Sequence, residues 1–116
     1  MNVYIICSVR NATQKLREDL ELYTERLEYE GHYVHLPHRD TDQDGDGVSI
    51  CRQNVAAIEW ADEVHVAWEP SSTGSHFDLG AAFVLRKKLV VIHMPSVPEG
   101  KSFEQVCMEW PFGKEE

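Results

Sequence analysis

Two short polar segments contain residues that could hold an anion. Ser8-Val9-Arg10-Asn11 places a hydroxyl and a guanidinium two residues apart, and Pro70-Ser71-Ser72-Thr73-Gly74-Ser75 contains four hydroxyls and a glycine. A helical pattern follows each segment, so the free backbone N–H groups of a helix start are expected beside these side chains. Such N–H groups are typical of phosphate sites. The segments therefore predict a phosphate pocket with five candidate residues: Ser8, Arg10, Ser72, Gly74 and Ser75.

Helix capping is the alternative role for these side chains. Asn11 or Thr13 could cap the helix after the first segment, and Ser72 or Ser75 could cap the helix after the second. These residue types are common caps, so each segment taken singly fits a cap better than a ligand site. The predicted convergence of both segments at one crevice favours phosphate binding.

Asp78 is an ionisable residue within an otherwise apolar run, Phe77-Asp78-Leu79-Gly80-Ala81-Ala82-Phe83. A carboxylate in a buried segment must be paired, hydrogen-bonded or functional. The alternative is structural, because Ser75-x-x-Asp78 matches a capping box, in which the acid closes the first helical turn. Asp62, which precedes another apolar run, has a structural alternative as a turn residue.

The acidic stretch Asp40-Thr41-Asp42-Gln43-Asp44-Gly45-Asp46-Gly47 has the composition of a calcium loop. An EF-hand loop closes with a bidentate Glu at its twelfth position. Counting from Asp40 puts Cys51 at that position, and counting from Asp42 puts Gln53 there. The stretch is therefore predicted to be a flexible acidic loop, with a mobile cover over the pocket as a further possibility. The histidines show no metal-ligand spacing on a helix, and we expect no metal and no other cofactor.

Short apolar runs rich in β-branched residues predict four strands, at residues 2–7, 33–36, 63–68 and 89–93. Segments with helical spacing separate them. The first is a helix that ends at Gly31 and has one apolar face, formed by Leu16, Leu20, Tyr23 and Leu27. Further helices are predicted from near Ser49 to Ala61, from about Ser75 to Lys87, and in a short form at 101–108.

The alternation of strands and helices predicts an α/β fold with a parallel sheet covered on both faces. We expect a three-layer, flavodoxin-like (Rossmann-like) domain with about four strands in the order 2-1-3-4. Ligands of such domains bind beyond the carboxyl ends of the strands, at the switch point between strands 1 and 3. The two polar segments follow those two strands, so the fold is expected to bring them together.

Length, charge and cysteine content limit the class of protein. The 116 residues fit one domain, predicted over 1–116, and the net charge of −9 opposes binding to a nucleic acid polymer. Cys7, Cys51 and Cys107 form neither a disulfide framework nor a zinc motif, which is typical of a reducing compartment. No membrane span or signal peptide is expected. The sequence predicts a soluble cytoplasmic protein, and the apolar third predicted helix suggests a homodimer.

Several short motifs follow one another along residues 2–95. Tyr4-Ile5-Ile6-Cys7-Ser8-Val9-Arg10 is followed by a helix ending in Gly31, by Ala61-Asp62-Glu63-Val64, and by Ser72-Thr73-Gly74-Ser75-His76-Phe77-Asp78-Leu79-Gly80. The paired patterns Y-x-x-x-S-x-R and S-x-G-x-x-[DE]-L-G resemble those of the nucleoside 2-deoxyribosyltransferase superfamily, and within it those of the 2′-deoxynucleoside 5′-monophosphate N-glycosidases. The resemblance implies a small-molecule nucleotide or nucleoside as the ligand.

The resemblance also implies roles for single residues. Asp78 stands where the family has its nucleophilic carboxylate, and Tyr4 stands where it has a tyrosine near the nucleophile. Asp62 stands where it has an acid that handles the leaving base or orients the sugar. The implied reaction is displacement of the base at C1′, through a glycosyl-enzyme ester that water or another base resolves. The 5′-phosphate would be held by Ser8, Arg10 and Ser72.

The chain differs from the family pattern in three places. Asp78 replaces a Glu and is one methylene shorter, and Cys7 replaces a Gly. The tail after Pro95 does not supply the residue that family members insert into a neighbouring subunit's site. Two alternatives to an enzyme therefore stay open. One is a non-catalytic nucleotide-binding sensor or regulatory module, and the other is a scaffold in which both polar segments are only structural.

Overall fold

The computed structural model describes residues 1–113, in which strands alternate with helices. The elements are β1 (Asn2–Ile6), α1 (Gln14–Tyr29), β2 (Tyr33–His35), α2 (Pro37–Asp40), α3 (Gly47–Trp60), β3 (Glu63–Ala67), α4 (Thr73–Val84), β4 (Lys88–His93) and α5 (Phe103–Met108). All but α2 lie where the sequence predicts them, with small differences at their ends. Pro37 ends the second apolar run, as expected, but its fixed φ also suits the first turn of a helix, which explains α2.

The four strands are parallel and lie in the order β2-β1-β3-β4. Tyr4 of β1 lies beside His35 of β2 on one side and Val64 of β3 on the other. The order confirms the predicted flavodoxin-like topology. It places the switch point between β1 and β3, so the loops after these two strands lie side by side at the carboxyl edge of the sheet.

Alternate residues of β1 face opposite layers of helices. Val3 and Ile5 pack in a core cluster with apolar residues of α1, whereas Tyr4 and Ile6 pack in a cluster with apolar residues of α3 and α4. This division follows from the two-residue period of a strand. The fold therefore has the three layers that the sequence predicts, and the Tyr4 side chain faces α3 and α4.

Side chains at two predicted helix starts form caps. Thr13 Oγ1 accepts a hydrogen bond of 3.1 Å from the N–H of Leu16, and Ser72 Oγ accepts one of 3.2 Å from the N–H of Ser75. These bonds satisfy N–H groups that a helix leaves free in its first turn. Capping is therefore confirmed for Thr13 and Ser72. Each cap bonds one N–H group, so capping does not exclude an anion at the remaining ones.

The acidic stretch 40–47 connects α2 to α3 through local hydrogen bonds. Asp46 caps α3 by accepting from the N–H of Ser49 at 2.8 Å, and Asp42 accepts from the N–H of Asp44 at 3.1 Å. Within residues 1–113, no group of three or more histidine, cysteine, aspartate or glutamate side chains is arranged to hold a metal ion. The carboxylates of Asp42 and Asp46 act as acceptors for nearby backbone.

The helices of the described residues are short or amphipathic. The 16 residues of α1 include Leu20, Thr24 and Leu27 as a buried face, and most of its other residues are exposed. Across residues 1–113, no helix combines the length and apolarity needed to cross a bilayer.

Candidate active site

Asp78 lies in the second turn of α4 and faces β1. Its side chain is buried, with the residue only 4% exposed. Oδ2 accepts a hydrogen bond of 2.7 Å from the Tyr4 hydroxyl, and Oδ1 has no hydrogen-bond partner within residues 1–113. The carboxylate is thus anchored by one oxygen, and its other oxygen is free.

Burial changes the proton affinity of this group. Removal from water raises the pKa of Asp78, and the Tyr4 hydroxyl, which stabilises the ionised form, offsets part of that rise, so that the pKa is about 6. The Asn54 amide on α3 is near enough to favour the ionised form too, although it makes no well-formed hydrogen bond to Oδ1. Burial and the charge of Asp78 also raise the pKa of Cys7, to about 12. Cys7 is therefore a neutral thiol, and it packs in the core cluster that faces α1.

Asp78 does not close the first turn of α4. The helix begins at Thr73 with Ser72 as its cap, so Ser75 lies inside the first turn and Asp78 one turn further along. The Asp78 carboxylate bonds Tyr4 rather than the backbone of its own helix. The capping-box alternative is therefore wrong for Asp78. Ser75 Oγ is fully buried and has no partner within the described chain, which adds a second free polar atom on this side of α4.

The loops after β1 and β3 bring the predicted phosphate residues to one edge. Ser8 follows β1, is buried, and accepts a hydrogen bond of 3.3 Å from the N–H of Asn11, while Arg10 on the same loop is exposed. Ser72, Gly74 and Ser75 follow β3, and a Cβ at Gly74 would meet no atom of residues 1–113 within 4 Å apart from its chain neighbours and the backbone of its own helix. Adjacent parallel strands carry both loops, so the hydroxyls, the guanidinium and the start of α4 lie at the same edge of the sheet.

Asp62 lies at the opposite edge. It precedes β3, is exposed, and its carboxylate accepts a hydrogen bond of 2.8 Å from the N–H of Asn2 at the start of β1. Its own N–H donates to the Asn2 carbonyl at 2.7 Å. Asp62 therefore ties the amino ends of two strands together, and the structure does not bring it to Asp78.

Asn54 is a site residue that the sequence reasoning missed. It lies on α3 with its Oδ1 accepting a hydrogen bond of 2.8 Å from the Thr41 hydroxyl, so its Nδ2 is the group left to face Asp78. The feature of the sequence that could have identified Asn54 is its position four residues before Ile58, which is fully buried. A polar residue within the buried stripe of a helix needs a partner, by the same argument that singled out Asp78.

Arg17 is a second missed residue. It lies in the first turns of α1, and its Nη2 donates a hydrogen bond of 3.0 Å to the Val9 carbonyl, which fixes the loop between Ser8 and Arg10. Its Nε is buried and has no partner within residues 1–113. Two guanidinium groups therefore lie at this loop, an exposed one from Arg10 of the loop itself and a partly buried one from Arg17 of α1.

Two cavities flank α3. One of about 520 Å³ lies between α3 and α4, and its lining includes Val48, Cys51, Val55 and Phe77. The other, of about 590 Å³, lies between α3 and β2, and its lining includes Tyr33, His35, Asp40 and Trp60. Asp78 lines neither of them, but its chain neighbour Phe77 lines the first. In this structure the carboxylate is thus beside a cavity and not open to it.

The comparisons with known proteins concern the fold. No protein-family model and no curated protein sequence matches the chain. A 2-deoxyribosyltransferase from Bacillus psychrosaccharolyticus matches 84% of this chain and 77% of its own at 18% identity, with a TM-score of 0.68. A 2-deoxyribosyltransferase from Leishmania mexicana matches 84% of this chain and 67% of its own at 20% identity, with a TM-score of 0.64.

A third solved structure is the CMP N-glycosidase of Clostridium botulinum. It matches 78% of this chain and 70% of its own at 21% identity, with a TM-score of 0.58. The chain thus shares the fold of these two 2-deoxyribosyltransferases and of this CMP N-glycosidase. The resemblance predicted from the sequence motifs is confirmed at the level of the fold.

Proposed function

We propose that this protein binds a nucleotide or nucleoside and cleaves its N-glycosidic bond, with Asp78 as the nucleophile. The observation that carries the proposal is the state of the Asp78 carboxylate, which is buried and, among residues 1–113, is hydrogen-bonded by Tyr4 through one oxygen only. A buried carboxylate with a free oxygen and a raised pKa is costly for a fold and is typical of functional sites. The folds of the neighbouring transferases and glycosidase support the same reaction class.

The chemistry follows from the two different oxygens. Oδ2 is bonded to Tyr4, so Oδ1 is the atom that attacks C1′ as the bond to the base breaks. The electron pair of the broken bond goes to the base, which takes up a proton, and the sugar passes through an oxocarbenium-like state to an ester on Asp78. Water then gives hydrolysis and a free sugar, whereas a second base gives transfer.

Burial sets the pH range of this reaction. With a pKa of about 6, Asp78 is protonated below that pH and ionised above it. An ionised carboxylate with little water around it is a stronger nucleophile than a solvated one. The Tyr4 hydroxyl lowers the cost of that charge by donating to Oδ2, so the two residues act as a pair.

The predicted phosphate site at the carboxyl edge of the sheet favours a nucleoside 5′-monophosphate as the substrate. Arg10 supplies an exposed positive charge there, and Ser72, Gly74 and Ser75 supply the start of α4. The N–H groups of a helix start and a nearby guanidinium bind phosphate even on a protein of negative net charge. Ser8 holds the backbone of the first loop in place by accepting from Asn11.

We further propose a homodimer formed through the groove between α3 and α4. Phe77 is 46% and Val48 62% exposed in this groove, and Val84, two turns after Phe77 on α4, is 79% exposed, which is typical of an interface rather than of a solvated helix pair. Arg52 and Glu59, two turns apart on α3, also line the groove. Across a twofold axis, Arg52 of one protomer can face Glu59 of the other and the reverse.

The proposed dimer bears on the site, because a second copy in the groove would cover the cavity beside Asp78. Sedimentation of the parent and of Phe77→Glu tests the dimer. A parent that sediments as a monomer would refute this part of the proposal.

The three cysteines of the chain are free thiols, which supports a cytoplasmic location.

A non-catalytic nucleotide-binding module is the second candidate. It is favoured by the 4% exposure of Asp78 and by its side chain, one methylene shorter than Glu, which can leave the attacking oxygen about an ångström from the geometry that the reaction needs. In that case the loops would bind the ligand and Asp78 would make no bond to the sugar. Incubation with a panel of nucleosides and nucleoside 5′-monophosphates separates the two candidates. Base release supports the enzyme, and a thermal shift without base release supports the binding module.

A further inference from the structure

The Thr41 hydroxyl forms hydrogen bonds with two side chains, His35 and Asn54. Thr41 follows α2 at the start of the acidic stretch and is 4% exposed. Its hydroxyl donates to Asn54 Oδ1 at 2.8 Å and lies 2.8 Å from His35 Nε2. A hydroxyl has a single proton, so with that proton given to Asn54 it accepts from an N–H on His35. One hydroxyl thereby sets both the His35 tautomer and the orientation of the Asn54 amide.

One of these side chains contacts Tyr4, and the other lies near Asp78. The His35 ring stacks on the Tyr4 ring, with 5.4 Å between centroids and 12° between planes, and the Tyr4 hydroxyl donates to Asp78 Oδ2. Asn54 turns its Nδ2 toward Asp78, because Thr41 occupies its Oδ1. The position of the Tyr4 ring that bonds the carboxylate and the orientation of the nearby Asn54 amide thus both depend on one buried hydroxyl.

The acidic stretch holds Thr41 in place. The Gln53 amide oxygen accepts from the N–H of Asp42 at 3.0 Å, and Gln43 Nε2 donates to the Pro37 carbonyl at 3.0 Å. Asp40 accepts from the N–H of Leu36 at 2.8 Å. These bonds tie both sides of Thr41 to α2 and α3, so the stretch acts as a structural support for this residue.

We propose that Thr41 is a positioning residue for Asp78, which fixes Tyr4 through His35 and fixes Asn54 directly, so that the acidic stretch 40–47 supports the site. The catalytic meaning of this role rests on the proposed function. The effect of Thr41 on the pKa of Asp78 does not depend on the proposed function, because it follows from contacts within the protein itself.

The groups that face Asp78 come from three elements. β1 supplies Tyr4, α3 supplies Asn54, and α4 itself supplies Ser75 one turn earlier, while Cys7, in the loop after β1, is close enough for the charge of Asp78 to raise its pKa. Tyr4 and Asn54 both favour the ionised carboxylate, whereas burial opposes it. Loss of the Thr41 hydroxyl would loosen both favourable contacts at once, so the pKa of Asp78 should rise.

The experiment is an NMR titration of the Asp78 carboxyl carbon in the ligand-free full chain. Thr41→Val keeps the shape of the side chain and removes its hydroxyl, and we expect it to raise the pKa of Asp78 by about 0.5 to 1. Thr41→Ser restores the hydroxyl and should restore the parent value. Thr24→Val is the matched control, because Thr24 is a fully buried threonine whose hydroxyl has no partner within residues 1–113.

A parent-like pKa in folded Thr41→Val would overturn the proposal, as would an equal rise in Thr24→Val. If Thr41→Val does not fold, His35→Phe provides the same test. It keeps a ring on Tyr4 but cannot donate to Thr41, so we expect a smaller rise in the pKa of Asp78, and no rise overturns the proposal. If the parent releases no base and the pKa of Asp78 is raised in Thr41→Val, the proposed reaction is refuted and the positioning role is supported.

Discussion

The Tyr4 hydroxyl and Asp78 Oδ2 are joined by a hydrogen bond of 2.7 Å between the middle of β1 and the second turn of α4. This bond leaves Oδ1 of the buried carboxylate without a hydrogen-bond partner in the described part of the chain. It also links β1, one of the two inner strands of the sheet, to the helix whose start lies at the predicted phosphate loop. The proposed nucleophile and the proposed phosphate site are therefore parts of one rigid unit.

The first prediction concerns Tyr4→Phe. Loss of the hydroxyl removes a bond that favours the ionised carboxylate, so the pKa of Asp78 should rise above its parent value of about 6. Base release, which needs the ionised form, should then reach half of its maximum at a higher pH than in the parent. The pH dependence of kcat/KM measures this. An unchanged profile would show that Tyr4 does not act on the nucleophile.

Asp78→Asn should stabilise the fold at neutral pH. The folded pKa of about 6 lies above the ordinary 3.8, so the folded state holds the proton more tightly. The contribution of Asp78 to stability is therefore present below about pH 4, falls as the pH rises to about 6, and stays low above that. A difference of about two pH units corresponds to about 3 kcal/mol. We expect the free energy of unfolding of the variant to exceed that of the parent by up to that amount at about pH 8.

Denaturant unfolding of Asp78→Asn and the parent at several pH values checks this expectation. The gap between the two proteins should narrow as the pH falls toward about 4, since the parent carboxyl then becomes neutral in both states. A gap that is independent of pH would mean that the charge of Asp78 is not the cause.

Arg10→Ala should weaken binding of nucleoside 5′-monophosphates and leave binding of the corresponding nucleosides nearly unchanged. Loss of one charge-assisted contact with phosphate corresponds to an affinity loss of about tenfold or more. Calorimetry with paired ligands measures the difference. Lys15→Ala is the control, because Lys15 is exposed on α1 and pairs with Asp19 rather than with a loop. Equal losses for both ligand types would remove Arg10 from the phosphate site.

Asp62→Ala tests the role that the family resemblance implies for this residue. In the structure Asp62 accepts from the Asn2 backbone at the amino edge of the sheet. We therefore expect a loss of stability of at most about 1 kcal/mol and little change in kcat. A fall in kcat of a hundredfold or more, in a folded variant, would instead support a role in leaving-group chemistry.

The order of the strands could be predicted because it follows from patterns that the sequence shows directly. The apolar runs that became β1, β2, β3 and β4 alternate with helical segments, and parallel right-handed connections allow few arrangements. The position of Ser8 and Ser72 at a common edge follows from that order. The burial of Asp78 was indicated in the same way, by an acid within an apolar run.

The partners within the site could not be predicted, because they depend on which side chains cross between elements. Asp78 and Tyr4 are 74 residues apart in the sequence, and Thr41 and Asn54 belong to different elements. Asp62 shows the reverse case. Its place in a motif indicated chemistry, but its position one residue before β3 sets it at the edge of the sheet away from the loops.

The most direct test of the central claim is base release from nucleoside 5′-monophosphates by the parent and by Asp78→Asn, with intact-mass spectrometry of the protein during turnover. We predict release by the parent, a mass increase equal to the sugar phosphate located at Asp78, and neither with Asp78→Asn, which should still bind the ligand. Equal rates of release by the two proteins would contradict a nucleophilic role for Asp78. Ligand binding by the parent without any release of base would contradict the proposed reaction as a whole.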